Sequence, residues 1–333
     1  MPTRLSDLAK RLGLDQSTVS RALRDDPRVK AGTKDLIRKT AEELGYRANL
    51  AARALAEGKS RTVWFVIPSL GQPVDREPAE KAGPRLLELG YDLLLAQHYG
   101  NLDVYRRVLG RIAAGGADGA VVIPHPASDG EAEAVLLQRG IPMVYLDRRV
   151  AGVPVPVVTT DNAAATASLL ESLIVASGRG EPSIGTVVIG FSPEANDVER
   201  SRAAAAEVTA ARFALAVLRG TELRDSRDLP LSGLGAAYIL ASSERRVGEI
   251  RDLLGRGKGG APTRIFAGTF DSWKGPTDGY GRVAVAVQDF AAMAERAVAL
   301  IVDALEGRID PRRPALAGSE AYELPLAELR TIL

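Results

Sequence analysis

Residues 3–23 read TRLSDLAKRLGLDQSTVSRAL. Leu5, Leu8, Ala9 and Leu12 recur at helical spacing, so one face can pack while Arg4, Lys10 and Arg11 stay in water. Gly13 permits the positive φ of a tight turn between helices. Asp15 is placed to accept from the free N–H groups of a second helix, whose Val19, Ala22 and Leu23 turn back toward the first. Gln16, Ser17, Ser20 and Arg21 are left on the outer face. A third pattern over 33–44, with Leu36, Ile37, Thr40, Ala41 and Leu44 inward, completes a three-helix unit. Such a unit presents one helix of a width that fits a DNA major groove.

The competing account is a three-helix bundle that binds another protein or caps a domain. Charge favours DNA. Residues 1–61 carry 14 Lys/Arg against 8 Asp/Glu, whereas the remainder carries 29 against 34. Positive charge is therefore concentrated on the small helical unit, as phosphate contact requires.

The whole chain has 333 residues, 46% of them hydrophobic, and a formal net charge of +1, enough for a small head and one or two sizeable lobes. The absence of cysteine removes disulfides, thiolate metal sites and cysteine nucleophiles together. No apolar run is long enough to suggest a membrane span, and the N-terminus reads as a helix rather than an export signal. A cytoplasmic protein is expected.

Beyond Arg61, short apolar runs alternate with helical patterns. Strands are expected over 63–68, 91–96, 119–123, 143–146 and 155–159, with helices near 79–89, 102–114 and 130–138. A second series places strands at 184–190, 238–241, 264–267 and 283–287, and helices near 200–218, 244–254 and 290–306. Continuous apolar strands such as VWFVIP and GAVVI, separated by helices, imply parallel sheets covered on both faces. Two doubly wound lobes are the economical reading.

The stretches DLAKRLGLDQSTVSRAL and ELGYRANLAARAL, with the order of segments after them, resemble the LacI/GalR family of bacterial transcription regulators. The resemblance covers essentially the whole chain and is most specific in the first 60 residues. It implies an all-α helix-turn-helix head (1–47), a hinge-helix linker (48–61) and a two-lobed α/β domain like the periplasmic sugar-binding proteins (62–333). The first lobe would comprise about 62–160 with 289–318, the second 161–288 with 319–333. It further implies a homodimeric repressor on a pseudo-palindromic operator, controlled by a sugar or sugar derivative between the lobes. By position, Gln16, Ser17 and Arg21 would meet base edges, and Thr18 and Ser20 phosphates; Ser20 also reads as plain helix surface. In the linker, Asn49, Ala52 and Leu55 would contact DNA, with Leu55 as a minor-groove wedge unless it packs on its own domain. Where the family usually has proline, this chain has Ala48, which leaves the linker less preset.

Ligands of doubly wound sheets sit beyond the carboxyl ends of the strands. Polar residues recur there: Ser69 and Gln72, Gln97 and His98, His125, Asp147 and Arg148, Thr160 and Asp161, Ser192, Ser242 and Ser243, Asp271 and Trp273. VYLDRR, VVTTDN and AGTFDS resemble family segments that carry Asp147, Asp161 and Asp271, and Arg200 or Arg202 fills the place of a ligand-contacting arginine. Asp147 has a plainer alternative as a backbone cap. Ser242 and Ser243 stand where the family commonly has Asn-Asp, and SLGQPVDRE lacks its usual aromatic pair. Replacing a carboxylate by hydroxyls removes a strong acceptor, which points to an effector that is anionic, smaller or not a simple sugar.

Other classes fit poorly. GRGKGG (255–260) lacks the spacing and the following Ser/Thr of a phosphate loop, and a flexible loop is the better account. No GxGxxG, HExxH, GxSxG or EF-hand pattern occurs, and the two histidines are too few to suggest a site. No enzyme activity, cofactor or metal is expected. A solute-binding protein would need an export signal and no basic head; a sugar-modifying enzyme would need a paired acid and base.

Overall fold

The computed structural model describes residues 3–47, 54, 58–178, 185–220, 235–255, 264–309 and 321–332. Asn49, Ala52, Leu55 and most of the GRGKGG stretch lie outside them. The chain divides after Ser60 into two compact units.

The first unit holds three helices, α1 (Leu5–Leu12), α2 (Gln16–Leu23) and α3 (Ala31–Glu43). Gly13 ends α1 with φ 62°, and the Asp15 carboxylate caps α2 by accepting from the Ser17 N–H at 2.7 Å. Leu8, Ala9, Val19, Ala22, Ile37 and Ala41 form the core, flanked by Leu5, Leu12 and Leu23. The expected inward set of α3 needs correction at both ends: Leu36 is 54% exposed and Leu44 36%. Three short helices close around one apolar row of α3, so only Ile37, Thr40 and Ala41 reach the interior.

The second unit contains two six-stranded sheets. Sheet one is built from β1 (Thr62–Ile67), β2 (Asp92–Gln97), β3 (Gly119–Val122), β4 (Met143–Leu146), β5 (Val157–Thr160) and β11 (Ala321–Leu324), in the order β11-β5-β4-β3-β1-β2 and parallel throughout. Alternation in β1 sends Val63, Phe65 and Ile67 to one face and Val66 to the other. The first face is covered by α4 (Pro73–Glu88) and α10 (Phe290–Leu305), the second by α5 (Leu102–Arg111) and α6 (Glu131–Gln138). Both faces are therefore dry, which is why VWFVI reads as an unbroken apolar run.

Sheet two contains β6 (Gly185–Ile189), β7 (Ala216–Arg219), β8 (Ala236–Leu240), β9 (Arg264–Phe270), β10 (Arg282–Gln288) and β12 (Leu326–Thr331), in the order β12-β10-β9-β8-β6-β7. Its pairs are parallel except β10 with β12. α7 (Asn162–Ala176) and α8 (Asp197–Arg212) cover one face and α9 (Glu244–Gly255) the other. The chain passes between lobes at Asp161, at Asp289 and at Pro325.

Four expectations change. Residues 319–333 do not all join the second lobe: Ala321–Leu324 pairs with β5 of the first before the chain crosses to β12. The helix expected over 200–218 ends at Arg212; Ala214 turns with φ 52° and Ala216–Arg219 becomes an edge strand. α7 has no counterpart among the expected elements, because Leu169, Leu170, Leu173 and Ile174 line its buried face while Ala163, Ala164 and Val175 stand on the outer one and blur the contrast. Finally, α4 begins at Pro73, six residues early. Proline suits a first helical position, and Pro78 is accommodated within the helix.

Leu169 is fully buried in the core of the second lobe. Leu169→Ala should cost about 2–5 kcal/mol in denaturant unfolding of this unit; a loss below about 1 kcal/mol would show that the site is not packed as described.

Candidate functional site

In the head, Gln16, Ser17 and Arg21 are exposed on one side of α2, while Thr18 and Ser20 are half-buried. Asp25 pairs with Lys34 (3.1 Å) and Arg38 (2.7 Å), and Asp26 with Arg28 (2.6 Å). These contacts neutralise bases of the α2–α3 side. Lys10, Arg11 and Arg21 form no ion pair among the described residues, so their charge is free for phosphate or a base edge. The Asp15 carboxyl is held below its ordinary value by the Ser17 hydrogen bonds, which keeps the cap ionised.

In the second unit, β4 and β9 end alike. Asp147 has φ 68° and Asp271 φ 67°, left-handed conformations that aspartate tolerates better than most residues. In each, the next residue's N–H bonds back over the aspartate at 2.8 Å, Arg148 to Leu146 O and Ser272 to Phe270 O. Each aspartate N–H completes the sheet at 2.9 Å, on Val158 O and Ala286 O. The two carboxylates are thus turned out of their sheets into the space between the lobes by the same device.

Arg202 of α8 occupies the middle. It is 5% exposed, lies over the Phe270 ring at 3.5 Å, and donates to Asn162 Oδ1 (2.7 Å) and Ser242 Oγ (3.2 Å). Asn162 in turn donates to Thr159 Oγ1 (3.2 Å), whose hydroxyl donates to the Asp147 carbonyl (2.7 Å). A parallel relay runs from the Thr160 hydroxyl to Gln288 Oε1 (2.7 Å) and from Gln288 Nε2 to Asp271 Oδ1 (2.9 Å). Both relays cross where the chain changes lobes.

Arg202, Asp147 and Asp271 lie within one another's fields, together with Arg148, Glu199 and Asp75. Arg148 Nε is 3.8 Å from Asp147 Oδ2. Asp75, in the first turn of α4, is 4% exposed. Burial pushes its carboxyl up to about 7, opposed by Arg148 and reinforced by Asp147 and Asp271. Asp271 is raised to about 6, again by burial, with the Gln288 hydrogen bond opposing. Asp147 is raised by burial too.

Of the expected effector contacts, the structure therefore brings together Asp147, Arg148, Arg202, Ser242 and Asp271. Between the two arginines, Arg202 reaches the centre, whereas Arg200 is exposed and lines a separate 440 Å³ hollow with Phe191 and Arg219. Others are engaged elsewhere. Asp161 caps α7 by accepting from Ala164 N–H, Trp273 donates to Gly275 O and meets Tyr280 edge-on, and His125 bonds Gly100 O and Ala127 N–H. Ser69 Oγ accepts from Gly71 N–H, and Gln72 is exposed ahead of α4. His98 is buried and held down to about 4, first by burial, so it is neutral.

Asp75, Asn162, Glu199 and Gln288 were not foreseen. Asp75 stood outside the expected helix. Glu199 precedes Arg202 by one helical turn and accepts hydrogen bonds from the Ser242 hydroxyl and from Ser192 N–H (2.9 Å). The carboxylate missing at 242–243 is thereby supplied from α8, which removes the ground for expecting an anionic effector.

A three-helix head with an exposed reading face, followed by a two-lobed α/β unit with a charged cleft, defines a class: helix-turn-helix proteins carrying a ligand-binding domain. Residues 4–49 match the family described as bacterial regulatory proteins, lacI family. The regulator PtxS of Pseudomonas plecoglossicida is 28% identical over 241 residues, 72% of this chain and 67% of its own length. Catabolite control protein A of Priestia megaterium is 28% identical over 174 residues, 52% of each chain. The alignments thus span about half to two thirds of these relatives. The lac repressor dimer bound to operator and an anti-inducer superposes with a TM-score of 0.71 at 18% identity, covering 99% of this chain and 98% of that one. The head is thus similar to that of the lacI family of bacterial regulatory proteins, and longer stretches of the chain are similar to regulators.

For Asp75 and Asp271 the folded protein holds the proton more tightly than the ordinary value of 3.8. Their contribution to stability is full in acid and fades as pH rises from about 4 through about 7. Asp75→Asn should therefore raise the melting temperature of the cleft unit at about pH 8 and leave it unchanged at about pH 4. Thermal unfolding at both values checks this, and equal shifts at both would contradict it.

Proposed function

We propose that this protein is a sequence-specific transcriptional regulator, acting as a repressor, that binds a pseudo-palindromic operator as a homodimer and is controlled by a small polar effector between its lobes. The observation that carries the reading is the outer face of α2: Gln16, Ser17 and an exposed Arg21 with no ion pair among the described residues. The buried Val19 and Ala22 hold that face in place. Arg21 has the planar fork for a bidentate pair with guanine, and Thr18 and Ser20 the hydroxyls for phosphate. Two heads need two half-sites, so a second copy is required. Leu87 of α4 and Leu94 and Leu95 of the edge strand β2 are exposed at one edge of the first lobe, and we place the contact with the second copy there.

The two relays through Asn162 and Gln288 support a two-state mechanism. A ligand held by Asp147 and Arg148 of one lobe and by Arg202 and Asp271 of the other favours one lobe angle. That angle sets the separation of the two linkers, and with it hinge-helix formation by residues 48–61 on DNA. The ligand shifts operator affinity only by its differential affinity for the two arrangements. We read the cleft as binding without turnover, since the curated relatives are named as regulators. Conversion of a bound ligand by the purified protein would overturn that.

Arg21→Ala should cost about 1–3 kcal/mol at the cognate operator and relax one base position. Unchanged sequence preference in a binding-site selection would remove the base-reading role. Asp271→Ala should abolish the effector response in a gel shift while leaving operator affinity intact; a normal response would take Asp271 out of the site.

A further inference from the structure

Charge in the cleft does not balance. Asp75, Asp147, Asp271 and Glu199 are countered there by Arg148 and Arg202. Glu199 is engaged by the Ser242 hydroxyl and Ser192 N–H, and Asp147 has Arg148 at 3.8 Å. Asp271 has an amide donor from Gln288 but no ion pair among the described residues. Asp75, only 4% exposed, has no ion pair among them, and its carboxyl is met by the Ser69 backbone N–H alone. A buried carboxylate without a cation is costly, and lobe closure over a ligand raises that cost by removing water. Burial has already driven Asp75 toward neutrality at physiological pH.

The ligand can answer this deficit in only a few ways. A phosphate or carboxylate adds negative charge to a site that already has an excess. A neutral polyol supplies donors but leaves Asp75 to be neutralised by a proton. An ammonium group supplies three donors and the missing charge together. Arg148 Nε, buried without a hydrogen-bond partner among the described residues, also requires an oxygen acceptor from the ligand. Arg202 brings a second guanidinium to the same space.

We propose that the cleft selects a polyhydroxylated effector bearing a protonated amine, an amino sugar in class, with the ammonium against Asp75 and hydroxyls on Arg148 and Arg202, and that it rejects sugar phosphates and sugar acids. The inference rests on reading the cleft as the effector site.

Isothermal titration of the full-length protein at neutral pH tests it with matched sets: glucosamine, galactosamine and mannosamine, the parent hexoses, their N-acetyl amines, their 6-phosphates and the aldonic acids. One amine should bind at least about tenfold tighter than its parent hexose and its N-acetyl form. No phosphate or acid should bind comparably. Asp75→Asn should reduce the advantage of the amine over its parent hexose to within about threefold. The N-acetyl comparison removes the ligand's charge on the wild-type protein, so the test holds even where the variant folds poorly. Equal binding of amine and hexose, or tighter binding of a phosphate or acid, overturns the amine. If that other sugar's binding is lost in Asp271→Ala, the effector reading stands without it. Absence of binding by every member, or binding indifferent to Asp271→Ala, overturns both.

Discussion

The cleft depends on one buried cation. Arg202 of α8 lies in the fields of two aspartates from different lobes, Asp147 and Asp271, and its guanidinium is desolvated on the face of Phe270. A guanidinium in that position has to be matched in geometry as well as charge, because leaving its donors unpaired in a dry site is expensive. Asn162 and Ser242 provide the match, and each leads onward: Asn162 to the crossover strand, Ser242 to Glu199. Much of the polar interior of the cleft follows from satisfying this group.

The same network extends to the crossovers between the lobes. The chain changes lobes beside Thr160, Asn162 and Gln288, the residues that tie Asp147 and Asp271 into the crossover segments. Arg149, from the first lobe, also pairs with Asp197 of α8 at 3.4 Å. Contacts at the cleft centre therefore reach the hinge segments directly. The left-handed aspartates fit this picture. Non-glycine residues at positive φ cost on the order of 1–3 kcal/mol and persist where surrounding structure holds them, commonly at functional sites.

The head shows how legible a small unit can be. Gly13, Asp15, Val19 and Ala22 behave as their spacing implies, because in a three-helix unit helix caps and a single apolar stripe decide almost everything. The larger unit was legible as architecture and less so as detail. β1, β3, β4 and β6 are long apolar runs and could be placed from sequence. β7 and β12 are exposed edge strands with mixed composition, and α7 carries alanine and valine on its exposed face, so none of the three shows a strong periodic contrast.

The amino-acid sequence by itself determined the order of the parts: a basic reading head, then alternating strands and helices in two series, with aspartates at strand ends. These are local properties, written in spacing and composition. Only the tertiary structure decided which polar residues share a site. It separated Arg202 from Arg200, two residues apart on α8 and therefore facing different spaces. It assigned Asp161 to a helix cap, and it brought Asp75 and Glu199 in from helices. Side-chain partnership depends on where elements from distant parts of the chain converge, and no periodicity along the sequence records that convergence.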